Sequence, residues 1–253
     1  FAGKFVFVRI PESTRTVKNK SAIVHSFICI ERQSSVLCSC TMFYWSVFVL
    51  WLCVVLSCVN CRYVTNYDYD HLVFTQQWPQ SVCDCDESGD EQCRIPEKVK
   101  TWTIHGIWPT LGKSEGPDYC NRSWPFEEAQ ILDIETKMEI YWPSLLTTSG
   151  NSRISFWEHE WKKHGTCCTD LQILDSEHKY FDKGLELNRK YNLSSMLEDA
   201  KIVPNKSGTY QLNDFREAVK KRIGYSPILH CCKKDSKQRV QEIMICLDKG
   251  LNL

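Results

Sequence analysis

An excess of charge of either sign is missing from this 253-residue chain, in which 31 Lys and Arg face 31 Asp and Glu. Beyond residue 61 the balance is 25 basic to 29 acidic, a net charge of about −4 with His neutral. There is no polybasic tail, so a non-specific electrostatic grip is excluded and any polyanion has to be held locally. Beyond residue 61, paired cysteines of the CxxC type are also lacking, which removes the usual structural zinc site there. An HExxH zinc-protease signature fails by one residue, because five positions rather than four separate His159 from His164. On a helix that spacing splays the two rings by about 140°, too far for easy chelation, where a spacing of four gives about 40°. No internal repeat and no low-complexity linker is present, and strands and helices do not follow a βαβ rhythm.

What is present is concentrated in Phe156 to Cys168, FWEHEWKKHGTCC. With His159 at the origin of a helical wheel, Lys163 falls near 40°, Phe156 near 60°, Glu160 near 100° and His164 near 140°, at about 100° per residue. Two imidazoles, a carboxylate, an ammonium and an aromatic ring therefore share one face. Trp157 and Trp161 lie beside that face, and Glu158 and Lys162 point toward solvent. Ser155 is placed to cap the helix. The bland alternative is a solvated amphipathic helix with incidental histidines, and a second motif counts against it.

That motif is Thr101 to Pro109, TWTIHGIWP. Trp102, Ile104, Gly106 and Trp108 alternate with Thr103, His105 and Ile107, which predicts a strand with His105 on the face opposite Trp102 and Trp108. Gly106 is a candidate bulge, or a point where a ligand approaches the backbone. A lone strand His is usually structural. Beside a helix that carries two more His, a Glu and a Lys, it becomes a candidate for chemistry.

The remaining elements follow from punctuation and period. His71 to Trp78 reads as a strand ended by Pro79, with a loop through Cys93. Helices are expected at 127–141, 177–191, 194–200 and 213–222, the last stopped by Gly224. Closing strands are expected at 228–232 and 240–247. Together these give an α+β fold with a mostly antiparallel central sheet and helices packed around it. His71, His178, His230 and His25 have structural or surface readings.

Residues 1–41 are mixed and basic, without strand or helix periodicity, and read as an upstream segment outside the real protein or as an unusual extension. Residues 42–61, from Met42 through a nearly uninterrupted apolar run, have signal-peptide length, with a signal-anchor as the alternative. Residues 62–253 then form a single catalytic domain, secreted or held in lysosomes or endosomes, with no stable membrane attachment after cleavage. Nine cysteines lie beyond residue 61, which in a secretory chain read as disulfides with at least one thiol left over. Sequons at Asn121, Asn192 and Asn205 fit a glycosylated product.

Two or three His, a Glu and a Lys, without a metal, a cofactor or a nucleophilic Ser or Cys, suit phosphodiester transfer within RNA. The ribose 2′-OH supplies the nucleophile, and the protein needs a base for its proton and an acid for the leaving 5′-oxygen. Imidazole serves both roles. An ammonium stabilises the charge that gathers on phosphorus, and nearby rings stack on unpaired bases. DNA lacks the 2′-OH and would not be cleaved this way.

TWTIHGIWP and FWEHEWKKHGTCC, in this order, resemble the two active-site segments of the ribonuclease T2 family, and the likeness continues through FTQQWPQSVC, CNRSWPF and the Cys231 to Cys246 region. It covers roughly residues 68–250. The resemblance implies a metal-independent enzyme, expected here as a monomer, that cleaves single-stranded RNA through a 2′,3′-cyclic phosphate, often best at acidic pH. It implies His164 as general base, His105 as general acid, and Glu160 and Lys163 as stabilisers of the pentavalent phosphate. His159 would help bind phosphate, Trp108 and Phe156 would lie at the first base site, and Gln76 at the second. It further implies Cys83–Cys93, Cys120–Cys167 and Cys231–Cys246 disulfides; Cys168 and Cys232 would then be free to pair, leaving Cys85 as the unpaired thiol. Thr110 stands where many members carry an Asp that contacts the base, which puts base preference in doubt. The rival reading is a secreted glycoprotein that acts through receptor or glycan binding.

Overall fold

The computed structural model describes residues 7–9, 67–86, 92–147, 153–205 and 208–253. The expected leader at 42–61, and most of the upstream segment, lie outside the described residues. Strands are β1 (Phe7–Arg9), β2 (His71–Gln77), β3 (Gln92–Cys93), β4 (Thr103–Leu111), β5 (Ser114–Glu115), β6 (Leu146–Thr147), β7 (Thr209–Gln211), β8 (Ile228–Lys234) and β9 (Lys237–Leu247). Helices are α1 (Pro79–Cys85), α2 (Glu135–Tyr141), α3 (Arg153–Lys163), α4 (Glu177–Lys190), α5 (Leu193–Asp199) and α6 (Leu212–Ile223).

The centre is an antiparallel sheet in the order β4-β2-β9-β8, extended by β5 beyond β4 and by β1 and β7 beyond β9. Among the described residues only the β1–β7 contact is parallel. The fold is α+β, as the sequence implies. Leu72, Phe74, Ile104, Ile107, Ile243 and Ile245 bury their side chains with Trp142, Trp157, Trp161, Tyr180, Phe181 and Leu187 from the helices. Fully burying one such apolar side chain contributes about 1.5–3 kcal/mol.

Several boundaries differ from the sequence reading, each for a local reason. Pro79 ends β2 and also starts α1, since its fixed φ suits the first helical turn. The helix expected over 127–141 is a 3₁₀ turn at Glu128–Gln130 followed by α2 from Glu135. Helix α3 begins at Arg153, so Ser155 lies inside its first turn rather than at its cap. Helix α6 ends as expected, with Gly224 at φ 84° in the left-handed conformation that Gly adopts at least cost. Strand β1 falls in the segment where no periodicity was visible.

Among the described residues the disulfides are Cys83–Cys93, Cys120–Cys167 and Cys85–Cys232. The first two are those implied by the resemblance. A Cys231–Cys246 bridge is not formed, because register forbids it. Cys231 lies opposite Val240 on β9, and Cys246 is six positions further along that strand, about 20 Å away. Nor do Cys168 and Cys232 pair. Cys168 is buried behind α3, with its thiol on the His164 carbonyl at 3.5 Å, while Cys232 meets Cys85 at the end of α1. Among the described residues the free thiols are Cys168, Cys231 and Cys246.

Candidate active site

Strand β4 pairs with β2 along one side, while its other side is open except where β5 joins at Thr110 and Leu111. An open edge leaves N–H and C=O groups to be satisfied by other means. Here the helical side supplies them. Trp142 donates its indole N–H to the His105 carbonyl at 2.9 Å. The Tyr180 hydroxyl donates to the Ile107 carbonyl at 3.0 Å and accepts from the Ile107 N–H at 3.3 Å. Trp157 on α3 in turn donates to the Trp142 carbonyl at 2.7 Å. Trp157 and Trp161 are one turn apart and both buried, so they fix α3 in height and rotation against that edge.

The expected irregularity at Gly106 is present. Thr75 pairs with Gly106 and Gln76 with Ile104, leaving His105 without a partner on β2. This bulge cancels the alternation that would send His105 and Trp108 to opposite faces. Their rings instead meet edge to face with centroids 4.9 Å apart. Gly106 also lies directly under Glu160: a Cβ here would collide with Glu160 Oε2 and Trp108 Nε1.

Glu160 is 1% exposed. It accepts from Trp108 Nε1 at 3.1 Å, and its other oxygen lies 3.8 Å from His105 Nε2. The His164 ring stands 5.4 Å from that of Trp108, and Phe156 lies 5.9 Å from His105. His159, exposed on the next turn of α3, meets Tyr119 edge to face at 6.4 Å. Lys163 is close enough to act electrostatically on His105, His159, Glu160 and His164. Its carbonyl accepts from the Tyr119 N–H at 2.9 Å, and the Cys120–Cys167 bridge holds this loop to the end of the helix. His105, Trp108, Phe156, His159, Glu160, Lys163 and His164 thus converge on one cleft.

Gln76 does not join them. Its amide is buried on the opposite face of β2, accepting from Asn188 Nδ2 at 3.0 Å and donating to the Tyr191 carbonyl at 2.8 Å. The neighbouring Gln77 lies opposite Glu242, whereas Gln76 lies opposite Ile243, so Gln77 is the glutamine on the Glu242 face. Thr110 turns its hydroxyl onto the Trp108 carbonyl at 3.1 Å.

Glu242 on β9 was not singled out from the sequence. It holds His105 Nδ1 at 2.5 Å with one oxygen and His230 Nδ1 at 2.9 Å with the other. His230, a bland residue by sequence, therefore stands behind the site. The available signal was an acidic residue within the otherwise apolar run that ends β9.

These environments drive the two cleft imidazoles apart. Burial opposes the charged form of His105, but the Glu242 hydrogen bond and the charges of Glu160 and Glu242 outweigh it and raise its pKa. Burial, then the charges of Lys163, His105 and His159, push His164 down to about 3. Burial lifts Glu160 to about 7 against the opposing pull of His105, Trp108 and Lys163. Near neutrality one ring is thus disposed to give a proton and the other to take one.

An α+β chain whose strand bulge and helix gather imidazoles and an ammonium around a buried carboxylate has the groups that acid–base chemistry uses. The ribonuclease T2 family model matches residues 69–253. Ribonuclease Oy of Magallana gigas is 41% identical over 191 residues, 74% of this chain and 86% of its own length. Ribonuclease T2 of Homo sapiens is 39% identical over 204 residues, 78% of this chain and 75% of its own. Among solved structures, RNase NT in complex with 5′-AMP superposes with a TM-score of 0.64 at 34% identity, covering 73% of this chain and 88% of that one. The chain belongs to the ribonuclease T2 family and is an endoribonuclease of that type.

Proposed function

We propose that the protein cleaves single-stranded RNA by metal-independent transphosphorylation through a 2′,3′-cyclic phosphate. The observation that carries this is the pair of imidazoles, His105 and His164, both held against the Trp108 ring and with opposite pKa shifts. His164 takes the 2′-OH proton as the 2′-oxygen attacks phosphorus. His105 gives a proton to the departing 5′-oxygen. Glu160 and Lys163 stabilise the phosphorane-like transition state: the ammonium by its charge, and Glu160, when protonated, by donating to a phosphoryl oxygen. His159 holds a neighbouring phosphate, while Trp108 and Phe156 flank the base 5′ to the scissile bond. DNA is not a substrate, because it lacks the 2′-OH that serves as the nucleophile.

The disulfides among the described residues and the sequons at Asn121, Asn192 and Asn205 support a secreted, glycosylated product, alternatively a lysosomal one. Among the described residues no helix is long and apolar enough to cross a membrane. Asn192 is exposed at the N-cap of α5, with its side-chain oxygen accepting from the Ser195 N–H at 2.9 Å.

The test incubates the disulfide-bonded protein with short RNAs and the matching DNAs, with chelator present, from pH 4 to 8. RNA-only cleavage giving cyclic phosphate ends, lost in His164→Phe, is the expected result. A folded protein that leaves RNA intact sinks the proposal and turns attention to glycan or receptor binding.

A further inference from the structure

We propose that Glu242 is the positioning residue of this site: it holds His105 by Nδ1 so that Nε2 alone faces the reacting phosphate, with His230 occupying its second oxygen. The inference rests on the reading of His105 as the general acid.

The arrangement is fixed by strand register rather than by chance approach. Glu242 lies directly opposite His230 on β8 and opposite Gln77 on β2. Two irregularities aim the imidazoles at it. One is the β4 bulge that leaves His105 unpaired, and the other is a register shift in β8 immediately after His230. Both carboxylate oxygens are used, at 2.5 Å and 2.9 Å, while the Glu242 side chain is only 8% exposed. A buried carboxylate is costly unless its oxygens are satisfied, and here one oxygen takes His105 Nδ1 and the other His230 Nδ1.

A carboxylate on Nδ1 fixes the tautomer. The proton of neutral His105 stays on Nδ1 as the donor to Glu242, so the working proton is the one carried on Nε2. Nε2 is the atom that faces the cleft, 3.8 Å from Glu160. In the transfer the P–O2′ bond forms and the P–O5′ bond breaks. The 2′-OH proton goes to His164, and the Nε2 proton of His105 goes to the 5′-oxygen. The Nδ1 proton stays on the ring throughout. His105 is faced by Glu160, Lys163, His159 and His164 from α3, and by Glu242 from β9 with His230 behind it. Of these, Glu160 and Glu242 favour the cation, and the Lys163 ammonium disfavours it. Removing the Glu242 charge therefore weakens the acid selectively.

Two substrates separate this from a merely structural role. A dinucleotide has an alkoxide leaving group that needs the acid; uridine 3′-(4-nitrophenyl) phosphate has a leaving group that does not. For Glu242→Gln we expect kcat/KM on the dinucleotide to fall about tenfold to a hundredfold. The basic limb of its pH profile should move to lower pH, and the loss on the aryl ester should be much smaller. His230→Asn should show the same pattern more weakly. Equal losses on both substrates, an unmoved basic limb, or an unchanged dinucleotide rate would each overturn the proposal. Should Glu242→Gln not fold, ¹⁵N-histidine NMR of the unaltered protein decides instead: neutral His105 protonated on Nδ1 supports the assignment, and protonation on Nε2 overturns it. The underlying reading fails separately, if His105→Ala retains dinucleotide cleavage.

Discussion

The backbone of Gly106 and the carboxylate of Glu160 occupy adjoining space, so close that a single methyl group on Gly106 would meet Glu160 Oε2. Glu160 is buried by this contact with the strand and tethered by Trp108 Nε1. Gly106→Ala is therefore expected to displace Glu160 and the Trp108 ring together. We expect kcat/KM on RNA to drop by about a hundredfold, the scale of a reacting group moved by an ångström. Far-UV circular dichroism should stay the same. Wild-type activity in this variant would show that the fit over Gly106 is not needed.

The pH profile of kcat/KM follows from two opposite shifts. His164, held down at about 3 by burial and neighbouring positive charge, is already neutral in mildly acidic solution. His105, raised chiefly by its Glu242 contact against the effect of burial, stays protonated above the ordinary His value of about 6.5. Activity should rise at strongly acidic pH, hold a plateau across mildly acidic pH, and fall as His105 loses its proton. Steady-state rates on a dinucleotide from pH 3 to 9 test this, and a rising limb near pH 6.5 would contradict it.

Glu160 couples function to stability. Its folded pKa of about 7 lies above its ordinary 4.5, so the folded state binds its proton more tightly. The stability this contributes is present at low pH and is lost as pH rises through 7, at a cost on the order of 3 kcal/mol for the buried charge. Glu160→Gln should melt higher than wild type at pH 8, with the difference shrinking toward pH 4, while activity falls. Thermal melts across that range measure it; a pH-independent difference would place the effect elsewhere.

Thiol mapping distinguishes the pairing in the structure from the one implied by resemblance. Cys246 is exposed and should react with a polar thiol reagent in the native protein, whereas buried Cys168 should react only after unfolding. A non-reduced digest should yield a peptide joining Cys85 to Cys232. Cutting that bridge by Cys85→Ser with Cys232→Ser frees a separation of 147 residues, for which loop entropy sets a loss of up to about 5 kcal/mol. Recovery of a Cys231–Cys246 peptide would refute this arrangement.

Much of the site was legible because its residues lie in two short segments. A helical wheel gathers Phe156, His159, Glu160, Lys163 and His164 without any tertiary information; α3 carries the first four and His164 follows directly at its end. The β4 strand and the irregularity at Gly106 were equally local. Gln76 was misplaced because alternation alone cannot say which of two adjacent glutamines faces the cleft; pairing to Glu242 rather than Ile243 decides it. Sequence alone does not single out Glu242 and reads His230 as structural, because Glu242 meets His105 across 137 positions and His230 only through the β8–β9 pairing.

By itself the sequence determined the α+β composition, the family and the chemical groups available, because periodicity, turn residues and motif spacing act over a few residues. Tertiary structure decided which groups touch. The bulge put His105 and Trp108 on one side, the tryptophan and tyrosine contacts seated α3 against the open edge of β4, and cross-strand register joined Glu242 to two histidines. Register also chose the cysteine partners, since a disulfide needs its two Cα atoms within about 7 Å, and only the folded sheet sets that distance.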